Sequence, residues 1–171
     1  MFKMPESINK FNVYNGTNRL IGVTGAVEMP SFAAMTNTIA GAGIAGEYEA
    51  PVDGHFGSQQ MKIPYAQIDE QEFFDIVKGK GAIVLRGAIQ VRNVETDQVD
   101  KVAMVVTVRG PVKEFDMGSV EKAKAMSASV TKEVTYIKIV INNVVCLELD
   151  KFNNIYIING EDQLAKVRAM I

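Results

Sequence analysis

The side chains that could do chemistry are few and scattered. Gly41, Ala42, Gly43, Ile44, Ala45 and Gly46 have the G-x-G-x-x-G spacing by which a tight turn brings backbone N–H groups against a pyrophosphate. That chemistry needs a buried strand before the run and a helix after it. Here MTNTIA precedes and EYEAPVDG, with Pro51, follows, so the run reads as a small-residue loop that packs closely on a neighbour. His55 stands beside Asp53 and Gly54 with no nucleophile or second ligand nearby and reads as a loop histidine. Cys146, inside VVCLEL, reads as a small core hydrophobe. Glu133, Glu148, Asp150 and Asp116 would need to converge to act as an acid pair, and their spread along strand-like segments favours solvated faces and interface ion pairs. Lys132 and Lys138, set among β-formers, read as exposed charges that discourage stray edge pairing. No nucleophile elbow, zincin or P-loop motif occurs. One Cys and one His exclude a disulfide within the chain and the common structural zinc sets. The expectation is a protein with no catalytic residues, no cofactor and no metal.

The elements that carry these residues are mainly β. AIVLRGAIQVRNV (82–94) reads as a strand, 95–97 as a turn and KVAMVVTVR (101–109) as the return, with Val102, Met104, Val106 and Val108 on one face. Residues 128–141 read as a third long strand, Asn142-Asn143 as a two-residue turn, and 144–149 as its return. Further extended stretches are expected at 19–29, 58–63 and 154–158. A helix is expected over 69–78, opened by Asp69 with Glu72 three residues on and closed by Gly79. A second is expected over 161–171, with Leu164, Val167 and Ile171 as its apolar stripe. Residues 31–57 show no sustained period and read as a long irregular loop. That loop carries Phe32, Met35, Ile39, Ile44 and Tyr48 around Gly41, Gly43 and Gly46, too much apolar surface for a free linker. These eight residues are the expected assembly interface.

The 171 residues form one domain's worth of chain, with 47% hydrophobic and 22% charged residues, which excludes wholesale disorder. Eighteen basic against twenty acidic residues give a formal charge of −2, and no run of basic residues interleaves with aromatics. Tight nucleic-acid binding and stable membrane binding are therefore not expected. The start, MFKMPESINKFNVYNG, has no apolar core of signal-peptide length, and no apolar run approaches about 18 residues. The expectation is a soluble protein, intracellular or delivered by assembly.

The run VVTVRGPVKEFDMG from Val105 to Gly118 resembles the segment V-x-V-R-G-x-x-K-E-x-D-x-G of the major tail tube proteins of contractile-tailed bacteriophages. Thr135-Tyr136, Lys138, Ile141, Leu147-Glu148, Asp150, Asn153, Asn159-Gly160, Asp162 and Leu164 are similar to that family's C-terminal signature. IGVTGAVEMP (21–30), the small residues of 41–46 and LRGAIQ (85–90) match in the same order, so the resemblance spans about 21–164. It implies two packed antiparallel sheets, sandwich- or barrel-like, with a flanking helix. It further implies homohexameric rings whose sheets close into one continuous inner β-barrel and stack into a tube. Implied partners are further copies of the chain, the tail sheath, and baseplate and tape measure proteins, with DNA only as passing cargo. The implied place is the virion tail, assembled in the host bacterial cytoplasm. The same architecture serves phage-tail-like bacteriocins and type VI secretion tubes. A reading from another class is a small β-barrel that holds an apolar ligand.

Overall fold

A computed structural model describes residues 2–79 and 81–171. Its strands are β1 (Lys3–Asn15), β2 (Asn18–Leu20), β3 (Ala34–Ala40), β4 (Glu47–Phe56), β5 (Gln60–Tyr65), β6 (Ile83–Asn93), β7 (Val99–Arg109), β8 (Val112–Asp116), β9 (Ala128–Glu133), β10 (Tyr136–Ile141), β11 (Val144–Asp150), β12 (Ile155–Ile158) and β13 (Glu161–Asp162). The two helices are α1 (Glu72–Val77) and α2 (Ala165–Met170). Eight strands form one antiparallel sheet in the order β13-β12-β11-β10-β7-β6-β1-β2, three form a second in the order β5-β9-β8, and β3 and β4 form a two-stranded sheet of their own among the described residues.

The large and small sheets pack face to face, and α1 closes one end. Alternation decides which side chains meet: Ile83 and Leu85 on β6, Val106 and Val108 on β7, and Ile137 on β10 point at Met61, Ile63 and Tyr65 of β5 and Val130 of β9. Phe73 and Ile76 of α1 are fully buried in the same cluster, and the Phe73 ring stands edge-on to Tyr65 at 5.5 Å. Each such side chain contributes about 1.5–3 kcal/mol by leaving water.

The chain passes between the sheets twice at one corner. β7 leaves the large sheet through Gly110-Pro111 to become β8, and β9 leaves the small sheet through Val134-Thr135 to become β10. The two crossings are laced together: Glu133 N–H donates to the Pro111 carbonyl at 2.9 Å and Thr135 N–H to the Arg109 carbonyl at 3.0 Å. The long strand expected over 128–141 is therefore two strands in different sheets. Apolar alternation continues through the bend, because Val134 is itself buried, and so the break has no signature in the pattern.

Helix α1 also departs from the simple capping reading. Asp69 Oδ1 accepts from Phe73 N–H at 2.8 Å. Glu72 does not reach back to it; its Oε2 accepts from Ile21 and Gly22 N–H at 2.9 and 3.2 Å and ties the helix to the chain after β2. At the C-terminal end, Gly79 has φ +72°, a left-handed conformation that favours glycine, and donates to the Ile76 carbonyl at 2.8 Å. In α2 the expected stripe fails, for Leu164 is buried while Val167 and Ile171 are exposed.

Lys132 overturns its expected exposure. It follows Ala128 and Val130 on the inward face of β9, opposite Met61, and is fully buried. Its Nζ has no hydrogen-bond partner among the described residues, and neither do Gln59 Oε1 and Tyr65 Oη. Burial holds the Lys132 pKa below its ordinary value of 10.5. A folded-state pKa below the unfolded one means that the folded chain binds fewer protons. The penalty is absent above the unfolded pKa and grows as pH falls toward the folded one. Lys132→Met should therefore stabilise the protein at neutral pH by about 1–3 kcal/mol. It should also flatten the rise in the parent's stability between neutral and alkaline pH, read from denaturant unfolding at several pH values. A destabilised variant would show that the ammonium is satisfied in the folded state.

Candidate assembly surfaces

Residues 31–57 are not irregular. β3 and β4 form an antiparallel hairpin, in register from Thr36 opposite Pro51 to Ala40 opposite Glu47. The turn 41–46 is closed by Ile44 N–H on the Gly41 carbonyl at 3.2 Å and Gly46 N–H on the Ile44 carbonyl at 3.0 Å. Gly43 and Gly46 take φ of +98° and +107°, the left-handed region that favours glycine. Pro51 is tolerated because β4 has a partner on one side only and a register shift lies next to it.

The hairpin is fixed at its base and free beyond it. Phe32 stands edge-on to Phe56 at 5.5 Å, and Phe56 to Tyr156 at 5.1 Å. Gly57 N–H donates to the Ala33 carbonyl at 3.1 Å, and Gln59 Nε2 to the Ser31 carbonyl at 3.3 Å. Gly54, at φ +72°, lies directly against Leu164 of the segment leading into α2. Further out, Met35, Ile44 and Tyr48 are 55, 42 and 53% exposed, and Ile39 is only half-buried. A Cβ at Gly41, Gly43 or Gly46 would meet nothing within 4 Å, so the space beside the turn is open. The structure thus carries the eight expected residues on one projecting arm, with Phe32 at its root.

A second unpartnered apolar surface lies on the large sheet. The three-stranded sheet is too narrow to cover the inward face of β1, β6 and β7 along its whole length. A groove of about 300 Å3 remains, lined by Ile8, Phe11, Val27, Met29 and Met104 above Leu85 and Val106. Ile8, Phe11 and Met29 are 54, 36 and 42% exposed. The sequence reading missed this surface. Register shifts in β1 next to Ile8 break the period of two that would have shown Ile8, Phe11 and Val13 on one face. The outer edge of β1 is also free among the described residues, because β2 covers only Val13 to Asn15 and leaves Lys3 to Asn12 without a partner on that side. The large sheet is open, with β2 and β13 as separate edges, and so encloses no barrel for a ligand.

The residues capable of chemistry stay apart. His55 is exposed near the end of β4, so it sits on a strand and not in a loop. Cys146 is half-buried with its Sγ near the Val144 carbonyl. Glu133 accepts from Ser58 Oγ at 2.8 Å and Gln59 N–H at 3.2 Å, and Asp116 from Gly118 N–H at 2.8 Å. Glu148 accepts from Tyr136 Oη at 2.9 Å and pairs with Lys138 Nζ at 3.5 Å, which leaves Lys138 half-buried. At Asp150 partial burial works against ionisation, but hydrogen bonds from Asn153 and Phe152 hold the carboxyl below its ordinary pKa. These are structural roles. Among the described residues no three His, Cys, Asp or Glu side chains are grouped to hold a metal ion, and no helix is long and apolar enough to cross a membrane.

Comparison with known proteins agrees with the architecture. The family model described as phage tail tube protein FII matches residues 5–171. The tail tube protein of Escherichia phage P2 is 24% identical over 172 residues, covering 98% of each chain. The solved sheath/tube terminator of an extracellular contractile injection system, in its extended state, superposes with a TM-score of 0.54 at 14% identity. The match covers 79% of this chain and 96% of that one, and the likeness is one of fold.

The anchorage at the hairpin root gives a direct test. A Cβ on Gly54 would stand 2.6 Å from Leu164 Cδ1 in a left-handed backbone. Gly54→Ala should cost about 1–3 kcal/mol of stability in denaturant unfolding. Gly41→Ala, in open space at the tip, should change the midpoint little. Equal midpoints for the two variants would show that the root is not fixed by this contact.

Proposed function

This chain belongs to the phage tail tube protein FII family, structural and not enzymatic, and from that premise we propose that it is the inner-tube subunit of a contractile tail. In this reading residues 1–171 act as a single tube domain. Six copies form a ring in which the large sheets join edge to edge into a continuous inner barrel. Rings stack into a hollow tube that lies inside the sheath, ends on the baseplate, houses the tape measure protein and conducts DNA through the bacterial envelope. Assembly in the host cytoplasm would place the protein in the virion tail. A bacteriocin or secretion-type particle would use the same subunit contacts and differ in cargo.

The observation that carries this reading is the pair of features left unpartnered among the described residues: the open edge of β1 from Lys3 to Asn12, and a hairpin whose Met35, Ile44 and Tyr48 remain about half exposed beyond its root. A long free strand edge is a template for pairing. Pairing β1 of one subunit with the β12–β13 end of the next joins unlike surfaces, and such a contact closes into a ring when its rotation permits. The hairpin and the groove beside Phe11 are likewise unlike surfaces at different places on the chain, suited to contacts within and between rings. Burying them would contribute about 25 cal/mol per Å2 of apolar area, less the cost of ordering the arm.

Replacing residues 37–50 by a short Gly-Ser turn removes Ile39, Ile44 and Tyr48 and keeps the root pairs of Ala34 with Phe56 and Thr36 with Pro51. The shortened protein should keep its β signature in circular dichroism and fail to form rings or tubes by electron microscopy at concentrations where the parent assembles. Tubes formed as readily as by the parent would remove the hairpin from the interface.

A further inference from the structure

The strand edge that the large sheet leaves open is also interrupted. The pairing of β1 with β6 shifts register twice, between Pro5 and Ser7 and between Ile8 and Lys10. Pro5 faces Val91 and Ser7 faces Gln90, so Glu6 is an extra residue; Ile8 faces Ile89 and Lys10 faces Ala88, so Asn9 is a second. The N–H and C=O groups of a strand turn alternately to its two edges. Each extra residue puts that alternation out of phase and bends the strand. A straight partner laid along the outer edge therefore meets the broken runs 3–5, 7–8 and 10–12, none longer than three residues. In the first run Pro5 has no N–H to give.

The bulges are held on the inner side by polar contacts and not by a core, since residues 3–11 are all exposed. Glu6 accepts from Gln90 Nε2 at 2.8 Å and from Arg92 Nε, and Arg92 Nη1 donates to Asp97 Oδ1 at 2.9 Å. Lys3 Nζ pairs with Asp100 at 2.9 Å, and Val94 N–H donates to the Phe2 carbonyl at 3.1 Å. The segment is thus tied to β6 along one edge while its other edge stays out of phase.

We propose that the two bulges guard this edge: they keep β1 of the free subunit from adding a strand of a second copy, and pairing follows only when 3–12 straightens. The partner held off is another copy of this chain, because the same sheet ends in a second unpartnered edge at β13. A chance encounter engages one run of at most three residues and gains too few ladder bonds to persist. A copy already held by its hairpin stays close while the segment straightens, and then gains the whole ladder. The guard thereby sets an order, apolar docking first and edge pairing second. It adds regulation to the ring contact of the tube reading and rests on that reading only for this order; the closed edge is a property of the subunit alone.

The test removes the extra residues. Deleting Asn9, or Glu6 and Asn9 together, leaves every other β1–β6 pair as it is and keeps Ile8 and Phe11 on one side of the strand. Sedimentation velocity over a concentration series reads self-association, and circular dichroism checks the fold. The double deletion should associate at a concentration roughly tenfold or more below that of the parent, and the Asn9 deletion between the two. In the associated variants amide exchange should slow within 3–12. Glu6→Ala with Asn9→Ala loses the Glu6 charge but keeps both extra residues, and should associate as the parent does. Deletions that associate no more readily than the parent would overturn the proposal. So would slowed exchange only outside 3–12, or a double-alanine variant that matches the double deletion, which would make side chains and not bulges the guard. The Asn9 deletion keeps the Glu6–Arg92 pair and decides the matter should the double deletion not fold. Electron microscopy of the parent at high concentration reads the tube proposal separately, since a parent that forms no tubes leaves the association of the deletion variants measurable.

Discussion

The double crossing at Gly110 and Glu133–Thr135 is the constraint on which the other features depend. A Cβ at Gly110 would stand 1.8 Å from the Glu133 carbonyl oxygen, so only glycine allows the two crossing strands to touch. Because they touch, β7 can feed β8 and β10 can receive β9 at one corner, and a single chain supplies both layers of the sandwich. The same packing recurs at Gly118, whose Cβ would meet the Met126 carbonyl at 1.8 Å where the loop after β8 turns toward β9. The two glycines of the VVTVRGPVKEFDMG run are thus the residues that allow the small sheet to form over the large one.

That corner also fixes the inequality between the sheets. Three strands fold back over a sheet of eight, so the core is deep near β6, β7 and β10 and thins along β1 toward Ile8. The monomer retains an apolar groove, a free strand edge and an arm held only at its root. In a protein that worked alone these would be liabilities. In the proposed ring they would be unlike surfaces available to one another, as a heterologous contact repeated around an axis requires.

The sequence revealed the architecture where one face alternates between apolar and polar. β6, β7, β10 and β11 could be read from Ile83 to Leu149 for that reason, and Asn142-Asn143 was legible as a turn because both residues tolerate the positive φ they adopt. It was silent where both faces of an element meet the same environment. The hairpin from Ala34 to Phe56 is exposed on both sides, so Ala, Thr and Gly alternate without a period and look irregular. At Lys132 the alternation was regular, but a cation occupies an inward position, and chemistry alone argued for the wrong side. The eight arm residues could be listed because Phe32, Met35 and Tyr48 are costly to leave in water. The groove could not, because its walls come from β1, β6, β7 and the chain after β2.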